Sequence, residues 1–154
     1  MSSSEIKGEY LDMYPLIEPF AYAAIVRDPE TKRITYMVIE PVLDEEEKEA
    51  LKRIEEILLD ELTVDPRELG SREKAEEWLK KKVEEIVRKY WIKLKAGSLE
   101  KIQYYIVRDY VYLGKIEPLM RDHMIEDISC DGAGIPVYVW HRPVSYTHLT
   151  LPTT

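Results

Sequence analysis

Residues 20–41 read FAYAAIVRDPETKRITYMVIEP, two β-prone runs at 20–26 and 34–39 separated by Asp28-Pro29-Glu30-Thr31. Pro29 suits the second position of a type I turn, so this spacing predicts a β-hairpin. Tyr22, Ile25, Tyr36 and Val38 supply its buried or half-buried positions. Glu40-Pro41 ends the second run, because proline cannot donate to a ladder. Residues 1–12 read as a polar N-terminal segment, with Glu5, Lys7 and Glu9 where a signal peptide would be apolar.

Downstream the period changes from two to helical. Asp44 caps a helix and Glu47, three residues on, completes a capping-box arrangement. Leu51, Ile54, Leu58 and Leu62 then fall on one face. After a loop containing Pro66, Ser71 caps a second helix with the stripe Ala75, Trp78, Leu79, Val83, Ile86, Val87 and Tyr90. At this spacing Trp78, Tyr90 and Trp91 read as core aromatics rather than a ligand box. Gly97-Ser98 opens a third helix lined by Leu99, Ile102, Ile106, Tyr110 and Leu113, with Gly114 as its stop. Residues 116–121 read as a short helical turn, 126–130 as a strand with Ile128 inward, Asp131-Gly132-Ala133-Gly134 as a tight turn and 137–141 as a second strand. The fold class is therefore α+β: an N-terminal β-hairpin, about three amphipathic helices, then the start of a small, incomplete sheet-bearing domain. The domain reading is 1–12 polar segment, 13–95 hairpin plus helical region, 96–142 opening of the sheet-bearing domain, and 143–154 a tail foreign to the rest. That tail includes VSYTHLTLPTT, without a charge or an apolar period. It looks like the in-frame translation of a transposon-end sequencing adapter, which would make the chain the N-terminal piece of a longer protein.

Of the 154 residues, 45% are hydrophobic and 34% charged, the balance of a globular chain. No apolar run approaches the roughly 20 residues of a spanning helix, so a cytoplasmic address is expected. Thirty acidic against 22 basic residues give a net charge of −8, which disfavours nucleic acid as a partner. Lys80-Lys81-Lys82 is flanked by Glu76-Glu77 and Glu84-Glu85 and reads as a solvated helix face. The single Cys130 cannot form an internal disulfide and reads as a small buried hydrophobe.

No complete catalytic constellation is present. Gly114-Lys115 resembles the end of a phosphate loop, but Asp109 stands where that motif needs Gly and Ile116 where it needs Ser or Thr. Gly132 and Gly134 read as turn glycines. His123, His141 and His148 have no zinc-like spacing with Cys130. Glu126 and Asp127 point to opposite faces of a strand and cannot share a pocket, with or without Asp131. No catalytic, cofactor-binding or metal residue is assigned.

Gly114-Lys115-Ile116-Glu117-Pro118-Leu119-Met120-Arg121-Asp122, then Ile125-Glu126-Asp127-Ile128-Ser129-Cys130-Asp131-Gly132 and Val137-Tyr138-Val139, resembles the N-terminal domain of the type II/IV secretion-system ATPases. In that family a PL(L/M)-x-D-x-x-(I/V)-(E/T)-(D/E)-I phrase leads into a glycine turn and a strand. Tyr14-Pro15, Glu18-Pro19 and residues 36–43 resemble its archaeal-type branch, with which the resemblance spans nearly all of 10–142. It implies a parent with a C-terminal RecA-like domain that binds ATP and Mg2+, assembles as a homo-hexameric ring and works on a polytopic membrane platform protein. Its address would be cytoplasmic, associated peripherally with the inner face of the membrane through partners. The parent would drive secretion, pilus assembly or an archaeal flagellum, and its phosphate loop would lie beyond Pro143. This chain alone would supply regulatory, ring-contact or docking surfaces and hold no cofactor. A stand-alone interaction or sensor module is the alternative. The first reading expects an open sheet edge at 137–141 and the second a satisfied one.

Overall fold

The computed structural model describes residues 8–129, 137–141 and 145–150. The chain divides into two compact units. One comprises the described residues within Met1–Pro41 and Pro118–Thr154, and the other is Val42–Glu117. The α+β class is as expected, with the hairpin strands grouped with the later strands rather than with the helices.

The first unit is one six-stranded sheet in the order β1-β2-β3-β6-β5-β4. β2 (Ala21–Arg27) and β3 (Ile34–Ile39) form the expected antiparallel hairpin, with Ile25 opposite Tyr36 and Ala23 opposite Val38. Ile25, Tyr36 and Val38 are buried and Tyr22 is half-buried, as their period of two requires. The connecting turn is longer than a type I turn. Lys32 N–H donates to Asp28 O, Asp28 Oδ1 accepts from the N–H groups of Glu30 and Thr31, and Lys32 takes a φ of 64°.

From within the polar start, Glu9–Ile17 forms β1, antiparallel to β2. Register shifts after Tyr10 and after Pro15 break its alternation, so the inward residues Leu11, Tyr14 and Leu16 are spaced three and then two. Pro15 is tolerated because β1 is an edge strand. A turn with a cis Glu18–Pro19 bond leads into β2.

α4 (Glu117–Met120) is the expected short helical turn and lays Leu119, 1% exposed, onto the face made by Ala23, Ile25, Tyr36 and Val38. β4 (Ile125–Ser129) and β5 (Val137–His141) pair antiparallel as read from the sequence. Cys130 and the Asp131–Gly134 turn, with Gly132, lie outside the described residues. The open edge expected at 137–141 is not found. β6 (Ser145–Thr150) pairs antiparallel with β5 and parallel with β3. Its Tyr and Thr residues suit an extended backbone, and ladder pairing needs no apolar alternation.

The second unit is helical. α1 (Glu45–Glu61) carries the capping box read from the sequence: Asp44 accepts from the Glu47 N–H, and the Glu47 side chain accepts from the Asp44 N–H. α2 (Arg72–Lys89) is capped by Ser71, whose hydroxyl accepts from the Lys74 N–H. α3 (Ser98–Tyr110) starts at Gly97 in the left-handed region, a conformation that suits glycine. Ile54, Leu58, Ala75, Leu79, Val83, Ile86, Ile102 and Ile106 join in one core. Each large member contributes roughly 1.5–3 kcal/mol by leaving water. Leu51, Leu62, Trp78, Val87, Tyr90, Leu99 and Tyr110 pack at its margin.

Two expectations fail at helix ends. α3 stops at Tyr110 rather than Gly114, which leaves Leu113 48% exposed. Gly114 instead opens the 3-10 turn Gly114–Ile116 with a φ of 68°. Among the described residues no helix is long and apolar enough to cross a membrane.

Candidate functional site

Polar chemistry in the sheet unit concentrates on Asp122, which follows α4 and is 5% exposed. Its Oδ2 accepts from Tyr14 Oη at 2.5 Å and from Tyr36 Oη at 2.6 Å. Its Oδ1 accepts from the Met124 N–H at 2.8 Å, and its own N–H donates to Leu119 O. Tyr14 comes from β1 and Tyr36 from the centre of the hairpin, so one carboxylate ties both strands to the segment leading into β4. Burial, reinforced by hydrogen bonding to Asp122, pushes both phenols well above the ordinary tyrosine range. They therefore remain donors at any physiological pH. The arrangement holds strands in register.

In the helical unit Glu47, 3% exposed, is the corresponding hub. Its Oε2 accepts from Ser98 Oγ at 2.6 Å and lies 3.4 Å from Lys101 Nζ. Lys101 also donates to Val42 O, and Lys95 pairs with Asp44. The Ser98 hydroxyl above all holds Glu47 below the usual carboxylate range, and Lys95 does the same for Asp44. The start of α1 is thereby fastened to the start of α3.

An open depression of about 490 Å3 also lies in this unit, lined by Leu59, Leu62, Val64, Pro66, Asp109 and Tyr110. Burial raises the pKa of Tyr110, and of Glu55, to which Asp109 adds repulsion. Thr63 and Asp65 complete the lining of the depression.

The residues weighed in the sequence do not converge. Gly114-Lys115 forms a 3-10 turn, not a phosphate loop. His123 and Glu126 are exposed, and His141 and His148 lie on β5 and β6. Asp127 lies in β4 opposite Trp140 of β5. Among the described residues no three His, Cys, Asp or Glu side chains gather to hold a metal ion. Lys80 pairs with Glu76 one turn back, as anticipated from its flanks, whereas Lys82, only 22% exposed, pairs with Glu85 and also bridges to Glu61 of α1.

Trp91 overturns its expected place in the core. It is 89% exposed and takes a φ of 55°. Ile92 N–H donates to Val87 O and Tyr90 N–H to Ile86 O, so α2 ends in a Schellman-type cap with Trp91 at the left-handed position where glycine is usual. Tyr90 and Ile92 on either side pack against the core. Only the continuation of helical spacing past Lys89 suggested burial, and a left-handed residue without glycine leaves no local signal.

Together these features describe an α+β protein of two units, each organised around a buried carboxylate hub. No protein-family model matches the chain. A curated relative, Uncharacterized protein MJ1288 of Methanocaldococcus jannaschii, is 38% identical over 122 residues, 79% of this chain and 47% of that protein. The chain thus spans about half the length of the curated relative it matches.

Proposed function

We propose that the chain is the N-terminal region of a secretion, pilus or archaeal-flagellum ATPase that couples ATP hydrolysis to protein export or filament assembly. It contributes regulatory, ring-contact or docking surfaces, while the nucleotide and Mg2+ bind the parent's catalytic domain. The partners in this reading are further copies in a homo-hexameric ring and a polytopic membrane platform protein. One observation supports it above the rest: three stretches that carry the resemblance meet at Asp122. Tyr14 belongs to the Tyr14-Pro15 pair, Tyr36 opens the 36–43 stretch, and Asp122 is the aspartate of the Pro118-Leu119-Met120-Arg121-Asp122 phrase. Leu119 of the same phrase enters the sheet's core and Ile125 begins β4. The phrase is physically coherent as one structural unit, which suits a shared family fold.

The test is to sequence the source locus across the codon for Arg142. A frame running on into G-x-x-x-x-G-K-[ST] is the expected result. The full-length product should then show Mg2+-dependent ATP hydrolysis that the 154-residue chain lacks. A native stop codon after Thr154 would overturn this reading in favour of a stand-alone cytoplasmic interaction or sensor module. One observation favours that second reading, the pairing of β5 on both sides.

A further inference from the structure

The end of α2 combines three features. Residues 88–95 read RKYWIKLK, four cations without an acid in a chain of net charge −8. Arg88, Lys89, Lys93 and Lys95 are all exposed. Lys89 and Lys95 have carboxylate neighbours in Glu61 and Asp44, whereas among the described residues Arg88 and Lys93 have none. In their midst Trp91 is 89% exposed and is held away from the core by a left-handed cap. A bulky residue rarely occupies that conformation, which here closes the cap that seats Tyr90 and Ile92 against the core and leaves the indole outside it.

We propose that Trp91 and its flanking cations form a contact site for an anionic lipid surface. Indole rings settle at the headgroup level of a bilayer, where an apolar body and a polar N–H are both accommodated. Lysine and arginine stems lie along such a surface while their charges meet lipid phosphates. Trp91 does not line the depression at Leu59 and Val64, and a lipid interface requires no complementary pocket. The acidic remainder of the chain does not prevent docking. At physiological salt the Debye length is about 8 Å, so the charges beside the surface dominate. The contact is weak and reversible, as befits one aromatic and a few cations. It does not depend on the ATPase reading, since a stand-alone module could carry it equally.

The experiment is co-sedimentation of the 154-residue chain with vesicles of phosphatidylcholine alone or with 30–40% phosphatidylglycerol, a composition chosen on the order of a strongly anionic leaflet. The expected result is binding to the anionic vesicles only, weakening as salt rises, with a blue shift in tryptophan emission that Trp91→Phe removes. Trp91→Ala should reduce partitioning about tenfold, and Arg88→Gln or Lys93→Gln roughly fivefold each, the equivalent of about 1 kcal/mol per cation. All three positions are exposed, so circular dichroism should confirm an unchanged fold. Equal binding by wild type and Trp91→Ala, or no binding to anionic vesicles at low salt, would overturn the proposal. Concentration-dependent self-association through Trp91 without vesicle binding would overturn it as well.

Discussion

Asp122 accepts hydrogen bonds from two phenols on one oxygen and from a backbone N–H on the other, and so joins β1 and β3 to the segment before β4. Tyr36→Phe keeps the ring's packing and removes one donor from a buried carboxylate. It should lower stability by about 1.5–3 kcal/mol, read from the urea midpoint at constant m-value. Tyr14→Phe should cost less, because Tyr14 is only half-buried and water can take the vacated place. Both tyrosine pKa values are raised by burial and by Asp122, so the folded state keeps protons that the unfolded chain releases. Their contribution is complete below pH ~10 and is lost as pH rises beyond it. An alkaline titration followed by circular dichroism should fall less steeply for Tyr36→Phe than for wild type. The sequence displayed Asp122 only as one letter of a phrase. Its phenolic partners lie 108 and 86 residues away, beyond the reach of any local pattern.

Helix ends separate what sequence could reveal from what it could not. The Asp44–Glu47 box and the Ser71 cap were legible because each closes within three residues. The Ser98–Glu47 bond was not, since it spans 51 positions. β1 escaped notice because its two register shifts erase the period of two, and Trp91 because a left-handed cap without glycine looks like more helix. Ser98→Ala removes the main donor to Glu47 and should cost about 1.5–3 kcal/mol. Glu47 and Asp44 titrate below their ordinary values, so their stabilisation is present above the unfolded carboxylate range near pH ~4 and is lost as pH falls through it. An acid melt should accordingly be shallower for Ser98→Ala. Trp91→Gly has the opposite sign. Relief of the left-handed penalty, partly offset by the greater freedom of unfolded glycine, should raise stability by about 0.5–1 kcal/mol. A thermal melt showing a lower midpoint would mean that Trp91 makes packing contacts its exposure denies.

The two units differ in how the chain builds them. Val42–Glu117 is continuous and contains its own hydrophobic core, helix caps and buried hub, so nearly all it needs to fold is local. The sheet unit is assembled from both ends of the chain, with β1, β2 and β3 before the helices and α4, β4, β5 and β6 after them. Residues 42–117 alone should therefore give helical circular dichroism and a cooperative melt. Residues 1–41 alone should not fold, since they lack Leu119 and Asp122 and three strands are marginal without a covered face. Between these extremes lies the chain ending at Arg142. It keeps the Asp122 hub but removes β6, exposing the facing edges of β3 and β5 and breaking the one strand pairing among the described residues that joins the earlier strands to the later ones. Its strand signal should melt earlier than in the 154-residue chain, while Ala75, Leu79 and their neighbours keep the helical transition in place. Infrared spectroscopy of the strand band alongside circular dichroism of the helices would follow the two separately. Coincident transitions in both proteins would show that β6 adds nothing to the sheet. A selective loss of the strand transition would establish that a sixth strand is required between β3 and β5.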